Sequence, residues 1–379
     1  MRIPIFRLEY TEEDITFVKE EIEKVLRSGH ITMSSRVRMF EKQFADYCKV
    51  KYALGTNSGT SSLEIILRAI GVEDQTVVMP SNTYMATPMA AIKAGGRVIF
   101  TECERNNLQM DSEDLKKKIR EDTKAVILVH IGGIISPSLE EIRKICQDYQ
   151  IPLVEDAAHA HGAEYFQTSA GNLGIAGSFS FYPTKVLTTA EGGMITTNDE
   201  KIYEKAIVLR EHGKADHNYN IHTEIGDNWR FSEVHAVLGI QQMKKAEYIL
   251  SERRRLAKYY DELLRDIEEL ECIVLPSHVK SSFYKYIVFL PEHIKRSNLK
   301  SLLLDKFNIE LPGEVYSHPC HSQPVFSKYP EKLANDNKDK FPVTNYVCQQ
   351  HICLPLYPGL KNEEVDYIVS SMKQIFSSL

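Results

Sequence analysis

The chain has 379 residues, 43% of them hydrophobic and 26% charged, with 46 Lys and Arg against 52 Asp and Glu. A net charge of −6 gives no overall pull toward nucleic acid or an anionic bilayer. A chain this long buries enough surface to fold without staples, and the composition excludes collagen-like, disordered and disulfide-miniprotein classes.

Along TEEDITFVKEEIEKVLRSG, residues Ile15, Val18, Ile22, Val25 and Leu26 recur at helical spacing, with Thr11 as cap and Gly29 as stop. A second helix, VRMFEKQFADYC, follows. Then an alternation begins. GTNSGT leads into a helical SSLEIILRAIG, and the strands TVVMP, RVIFTE, AVILVH and IPLVEDA alternate with helical SNTYMATPMAAIKAGG, DSEDLKKKIRE and SPSLEEIRKICQDYQ. Apolar strands separated by amphipathic helices predict a mostly parallel sheet with βαβ crossovers, an α/β fold. SFSFYP and GGMITTND read as strands in a hairpin-like return.

From Ser232 to about Leu270 the pattern is helical, and the charge-rich SERRRLAKYYDELLRDIEEL reads as a solvated face. The strand YKYIVFLP, the helix SNLKSLLLDKF, the Pro-rich loop YSHPCHSQPVF and the helix EEVDYIVSSMKQIF complete a smaller α+β unit, with 331–342 expected as an exposed polar loop. The expected division is a large domain over 30–245 and a small C-terminal domain over 246–379, with helix 1–29 packing on or near the latter.

Seven Cys stand singly with no CxxC pair, which disfavours a zinc ribbon or redox dithiol and fits reduced thiols. The start, MRIPIFRLEYTEED, has no apolar core of a signal peptide, and AVILVHIGGII (125–135) is too short and Gly-broken to span a bilayer. A cytoplasmic location with no membrane and no nucleic-acid partner is expected.

Three segments carry possible chemistry. GTNSGTSSL (55–63) offers hydroxyls and bare N–H groups at a helix start, a phosphate site or else a capped helix without ligand; it matches neither GxGxxG nor GxxxxGK[ST]. LVEDAAHAHGAEY (153–165) ends a buried strand in Glu155-Asp156, where a carboxylate can pair with a cationic ring nitrogen. His159 and His161 follow; HxH plus Asp would suit zinc, but no HExxH-like helix supports a metal, and none is expected. GSFSFYPTKVLTTAEGG (177–193) places Lys185 among small residues, where an amine can be nucleophilic. In this order, phosphate site, carboxylate and lone Lys are the set that a pyridoxal phosphate enzyme needs. A nicotinamide-dependent oxidoreductase is disfavoured by the missing GxGxxG.

The chain resembles, end to end, the DegT/DnrJ/EryC1/StrS sugar aminotransferases, of the fold-type I (aspartate aminotransferase-like) pyridoxal phosphate enzymes. The segments that carry the resemblance include NSGTSSLEIILRAIGV, PSNTYMAT, VEDAAHAHGAEY, SFSFYPTKVLTTAEGGMITTND, NWRFSEVHAVLGIQQM and CLPLYPGL. The resemblance implies that Lys185 forms the internal aldimine and that Asp156 keeps the pyridine nitrogen protonated. It implies His159 near the ring hydroxyl, Tyr84 stacking on the ring, and Gly59, Thr60 and Ser180 as phosphate contacts. Asn228 matches a residue reaching the phosphate of the neighbouring subunit, which implies a homodimer with shared sites. YSHPCHSQPVF matches a loop near substrate, with Tyr316, His321 and Gln323 in place and Tyr316 and His321 as substrate contacts. The reaction that the resemblance implies moves nitrogen from glutamate to a nucleotide-linked keto-sugar. Alternatives are a keto-cyclitol acceptor, a sugar dehydratase, or a non-catalytic pyridoxal phosphate regulator. The dehydrating branch carries His where this chain keeps Lys185, and retention of Lys185 with Asp156 argues against the regulator. Three departures stand out: Ala190 for Gly in TTAEGG, HIGGIISPSLEEI, and RSGHITMSSRV, the last two expected near substrate.

Overall fold

A computed structural model describes residues 1–216, 220–336 and 338–377. Helix α1 (Glu12–Ser28) begins in a reciprocal cap: the Asp14 N–H donates to the Thr11 hydroxyl, and the Thr11 N–H donates to the Asp14 carboxylate. Helix α2 (Ser35–Cys48) buries Val37, Phe40, Phe44 and Cys48. The strands that follow are β1 (Tyr52–Thr56), β2 (Thr76–Pro80), β3 (Arg97–Thr101), β4 (Thr123–Val129) and β5 (Leu153–Asp156). Between them run α3 (Gly59–Ile70), α4 (Ala86–Lys93), α5 (Ser112–Lys118) and α6 (Leu139–Asp148). Strands β6 (Ala176–Ser180) and β7 (Gly193–Thr197) complete one seven-stranded sheet in the order β1-β7-β6-β5-β4-β2-β3.

Neighbours from β6 through β5, β4 and β2 to β3 are parallel, whereas β7 is antiparallel to both β6 and β1. The expected α/β sheet and hairpin-like return are therefore present. Every residue of β2 and of β5 is buried, as a sheet covered on both faces requires.

After α7 (Glu200–Arg210), the 32-residue helix α8 (Glu233–Leu264) links two apolar clusters. Its first half packs against α1 and α2, and Lys245 pairs with the Asp14 carboxylate at 2.7 Å. Its second half gives Leu256, Tyr260 and Leu264 to the second cluster. That cluster covers the antiparallel sheet β8 (Glu271–Cys272), β9 (Tyr286–Phe289) and β10 (His351–Leu354), with helices α9 (Arg296–Phe307) and α10 (Asn362–Phe376). The N-terminal residues join this second unit: Ile3 lies in its core, and Arg7 forms two bonds with Glu364, at 3.0 and 2.7 Å.

Three local expectations are corrected. SNTYMAT is not helical at its start: residues 81–85 precede α4, and Ser81, Asn82 and Thr83 are buried. The segment 331–342 is not a free loop. Leu333 bridges Val98, the Ala334 N–H donates to Val98 O at 2.8 Å, and Asn335 bonds both main-chain polar groups of Phe100. It thereby covers the outer edge of β3, which would otherwise present unpaired main-chain groups; Asn337 lies outside the described residues. Within SERRR, Arg253 is only 6% exposed and donates to Phe283 O and Leu356 O, both at 3.0 Å. Arg254 donates to Ser281 O and Gly162 O, and only Arg255 pairs at the surface, with Glu252. Charge density alone cannot tell a solvated guanidinium from one that clamps carbonyls. HIGGIISP also has a structural place: residues 131–136 are buried, and the Gly132 and Gly133 carbonyls accept from the segment 281–285.

The adjacent carboxylates at the end of β5 go to different places. Glu155 accepts N–H bonds from Gly171 (2.7 Å), Leu173 (2.6 Å) and Gly174 (2.8 Å), and lies 2.9 Å from His130 Nε2. It holds the 171–174 loop. Glu155→Ala would strand three N–H groups, and a loss of about 3–5 kcal/mol of unfolding free energy is expected. Urea unfolding measures it; a loss within experimental scatter would show that the loop does not depend on this carboxylate.

Candidate active site

The cavity forms where the carboxyl ends of β5 and β6 meet the start of α3. Ser58 caps α3 by accepting from the Ser61 N–H at 3.1 Å. Gly59 opens the helix hard against β6: a Cβ there would lie 2.9 Å from Ser180 Cβ and 3.1 Å from Phe179 O. Only glycine permits that approach, and it brings Gly59, Thr60 and Ser180 together around the first-turn N–H groups of a helix, a natural anion cradle.

Asp156, at the end of β5, accepts from Thr87 Oγ1 at 2.7 Å and from the Ala158 N–H at 3.2 Å. Burial pushes its carboxyl pKa up, and the Thr87 and Ala158 bonds and the Lys185 charge offset that only in part. Lys185 sits in the turn after β6, its N–H donating to Tyr182 O at 2.9 Å. Burial lowers its amine pKa from 10.5 to about 8; the Asp156 charge opposes that shift, and Lys285 adds to it.

His159 is 4% exposed, and its ring stacks on that of Tyr284 at 4.1 Å and 19°. Its Nε2 lies 3.1 Å from Tyr316 Oη. Burial, with Lys185 nearby, holds its pKa well below the ordinary value, so the ring is neutral. Its Nδ1 is buried with no hydrogen-bond partner among the described residues. His161 turns instead into the core against Phe44, Phe179 and Phe181, and among the described residues no group of three or more potential ligands gathers for a metal. Tyr84 is 63% exposed, which rules out a core role, and its ring lies 5.7 Å from that of Tyr316.

The cavity measures ≈ 430 Å³, within the range of small-molecule sites. Gly59, Thr60, Tyr84, Asp156, His159, Ser180, Lys185 and Tyr316, all expected from sequence, line it together. Two expected residues do not. Asn228 is exposed, with its carbonyl accepting from Asn57 Nδ2 at 3.2 Å beside the cradle. His321 Nδ1 lies 2.7 Å from Ser81 Oγ, its ring stacks on Phe341 at 4.2 Å, and it lines a separate cavity of ≈ 500 Å³. Nine lining residues were not expected, among them Tyr182, Thr184, Glu191 and Tyr284. Tyr182 and Thr184 flank Lys185 and could have been read from that motif. Tyr284 arrives from a segment about a hundred residues on that carries no motif.

The model of the DegT/DnrJ/EryC1/StrS aminotransferase family matches residues 12–373. The chain belongs to this family. It is 29% identical to a GDP-perosamine synthase of Escherichia coli O157:H7, over 99% of each chain. It is 31% identical to dTDP-3-amino-3,6-dideoxy-alpha-D-galactopyranose transaminase of Aneurinibacillus thermoaerophilus, over 94% of each. Among solved structures, DesV of S. venezuelae, in complex with a ketimine intermediate, superposes with a TM-score of 0.91 at 26% identity, covering 99% of this chain and 98% of that one. This family member is a pyridoxal phosphate-dependent aminotransferase of the expected α/β fold.

The residues present fit that cofactor. The cradle at α3 suits a phosphate, and the unpartnered His159 Nδ1 suits a ring hydroxyl. A cationic ring nitrogen would offset the cost of burying the Asp156 charge.

The lowered Lys185 pKa is directly measurable. Acetylation of Lys185 in cofactor-free protein, followed by mass spectrometry across pH, should reach half its limiting rate near pH 8, earlier than the exposed lysines. A Lys185 midpoint equal to that of the exposed lysines would refute the effect of burial.

The loop behind Lys185 stores strain at Ala190, whose φ is +70° and whose N–H donates to Thr188 Oγ1 at 3.1 Å. The left-handed conformation costs an L-residue roughly 1–2 kcal/mol, against which glycine loses about 0.5–1 kcal/mol of chain entropy. Ala190→Gly should therefore stabilise the protein by about 0.5–1 kcal/mol in chemical unfolding. A destabilised variant would mean that the methyl makes contacts worth more than the strain.

Proposed function

We propose that this aminotransferase moves nitrogen from glutamate to the keto group of a nucleotide-linked deoxy sugar, with Lys185 as the amine that holds the cofactor. The observation that carries the reading is the meeting of a depressed amine, Lys185, and a buried carboxylate, Asp156, in one cavity. The sugar acceptor is supported by the names of the relatives, a GDP-perosamine synthase and dTDP-amino-sugar transaminases. Glutamate as donor follows from the family resemblance. Retention of Lys185 favours amino transfer over dehydration.

Pyridoxal phosphate, when bound, supplies an aldehyde for an amine to join and a ring that takes up the electron pair left at a deprotonated carbon. The chain supplies the rest. The α3 N-terminus with Thr60 and Ser180 holds the phosphate. Asp156 keeps the ring nitrogen protonated, and neutral His159 bonds the ring hydroxyl. Once released, Lys185 Nζ takes the proton from glutamate Cα and, in the second half of the cycle, returns one to the sugar carbon that receives nitrogen. An amine with a pKa of about 8 is poised for both directions near neutral pH. Tyr316, in the cavity wall, is the first proposed substrate contact, and His321, in the separate cavity, is a second that substrate would have to extend to reach. Asn228, exposed beside Asn57, is read as serving the site of a second copy in a homodimer. The division at about residue 245 belongs to the same reading and is supported by the two apolar clusters that α8 links. A cytoplasmic location is retained; no helix among the described residues is long and apolar enough to cross a membrane.

Borohydride trapping of the holoenzyme and peptide mapping should place the cofactor tag on Lys185. Lys185→Ala should lose the yellow colour and at least about a thousandfold in nitrogen transfer from labelled glutamate to a nucleotide-linked keto-sugar. A tag on another lysine would overturn the assignment of Lys185. Wild-type enzyme that takes the label from glutamate but passes it to no such sugar would overturn the acceptor.

A further inference from the structure

We propose that Tyr284 is a positioning residue through which the small C-terminal unit orients both Lys185 and His159. The inference deepens the reading above and rests on Lys185 being the cofactor-holding amine. Tyr284 is buried, at 9% exposure, and three site residues meet it. The His159 ring stacks on its face at 4.1 Å, the Lys185 amine lies 4.9 Å from its centroid, and its Oη is 3.2 Å from Thr184 Oγ1. Thr184 and Lys185 follow β6 whereas His159 follows β5, so one ring ties together both segments that carry the chemistry.

The ring is itself held from two sides. Toward the large sheet, Ser281 Oγ and the Ser282 N–H both donate to Gly133 O at 3.0 Å, and Ser282 Oγ donates to His159 O at 2.7 Å. The approach requires glycine at 133: its φ is +88°, and a Cβ would lie 2.8 Å from His159 O and 3.0 Å from the Tyr284 nitrogen. Toward the small unit, buried Arg253 of α8 donates to the neighbouring Phe283 carbonyl and to Leu356 O, both at 3.0 Å. An arginine buried to bind carbonyls is costly to place, and here it fixes the main chain beside Tyr284. Asp156 and Lys285 act on the Lys185 amine, Lys285 and His161 on His159, and Arg253, Cys353 and Tyr182 on Tyr284; Tyr316 bonds His159, and His130 acts on Asp156.

The test is the pH midpoint of the holoenzyme's visible absorption band without substrate, which follows protonation at the Lys185 nitrogen. Tyr284→Leu keeps an apolar neighbour but removes the ring face that favours a cation, so the midpoint should fall by about half a pH unit. Tyr284→Phe keeps the ring and should restore the wild-type midpoint, an outcome that general loosening of the fold would not give. Thr184→Val removes the hydroxyl partner of Tyr284 Oη alone; it should slow single-turnover conversion with glutamate about threefold to tenfold at unchanged glutamate affinity. A wild-type midpoint in Tyr284→Leu overturns the proposal. Should that variant not fold, an unaltered single-turnover rate in Thr184→Val overturns it. No band in wild-type enzyme, or a trapped tag away from Lys185, defeats instead the reading of Lys185 on which the proposal stands.

Discussion

The site depends on the burial of two opposite charges whose attraction for each other only partly offsets the cost of removing them from water. Desolvation raises the Asp156 carboxyl pKa and lowers that of the Lys185 amine, and their mutual attraction offsets only part of either shift. Two such groups add little stability and make a good reaction site. A ligand that brings a cation to Asp156 and a carbonyl to Lys185 satisfies both groups at once. The topology makes the pairing unavoidable: β5 and β6 are adjacent and parallel, with Asp156 opposite Ser178, so both groups emerge at the same edge of the sheet. A crevice beyond the carboxyl ends of parallel strands is where open α/β sheets take their ligands.

The pleat then divides labour between two neighbouring acids. Successive side chains of a strand point to opposite faces. Glu155 therefore turns to the 171–174 loop and to His130, and Asp156 turns to the cavity. The first is saturated by three N–H donors and a ring nitrogen, which leaves it no capacity for chemistry. The second has one hydroxyl and one N–H donor, which leaves lone pairs for a ligand. Sequence proximity made the two look alike; their hydrogen-bond complement separates them.

The legibility of the sequence follows the same logic. The alternation of short apolar runs with amphipathic segments located β2 to β7 because both faces of that sheet are covered and its strands must be apolar throughout. The site residues that were readable sit at strand ends and helix starts, where chemistry and local structure coincide: Gly59 and Thr60 at α3, Asp156 after β5, Lys185 after β6. What escaped depends on contacts between segments far apart in the chain. Arg253 lies in a run of charges with the composition of a solvated helix, and only the carbonyls of Phe283 and Leu356 account for its burial. The polar stretch around Asn335 gives no sign that it will bond to Phe100 on an unpaired sheet edge. Tyr284 precedes β9 as one aromatic among several.

These long-range contacts share a location, and it bears on how the enzyme is built. Tyr284 and Tyr316 both lie beyond α8 in the chain, yet both line the cavity and both touch His159. The cofactor cavity is thus completed only when the unit beyond α8 is docked on the large sheet. The docking uses main-chain acceptors at Gly132, Gly133 and His159, which make it geometrically specific, and adds exposed ion pairs such as Lys280–Glu164 and Arg105–Glu271, which salt would weaken. Apolar side chains from the far unit, among them Val315, Cys320, Phe326 and Phe341, join the core of the large sheet and seal the same seam. The depressed Lys185 pKa requires that water be kept from the amine, and part of the wall that excludes it belongs to the docked unit. The seam between the large sheet and the segments beyond α8 is therefore also part of what shields the Lys185 amine from water.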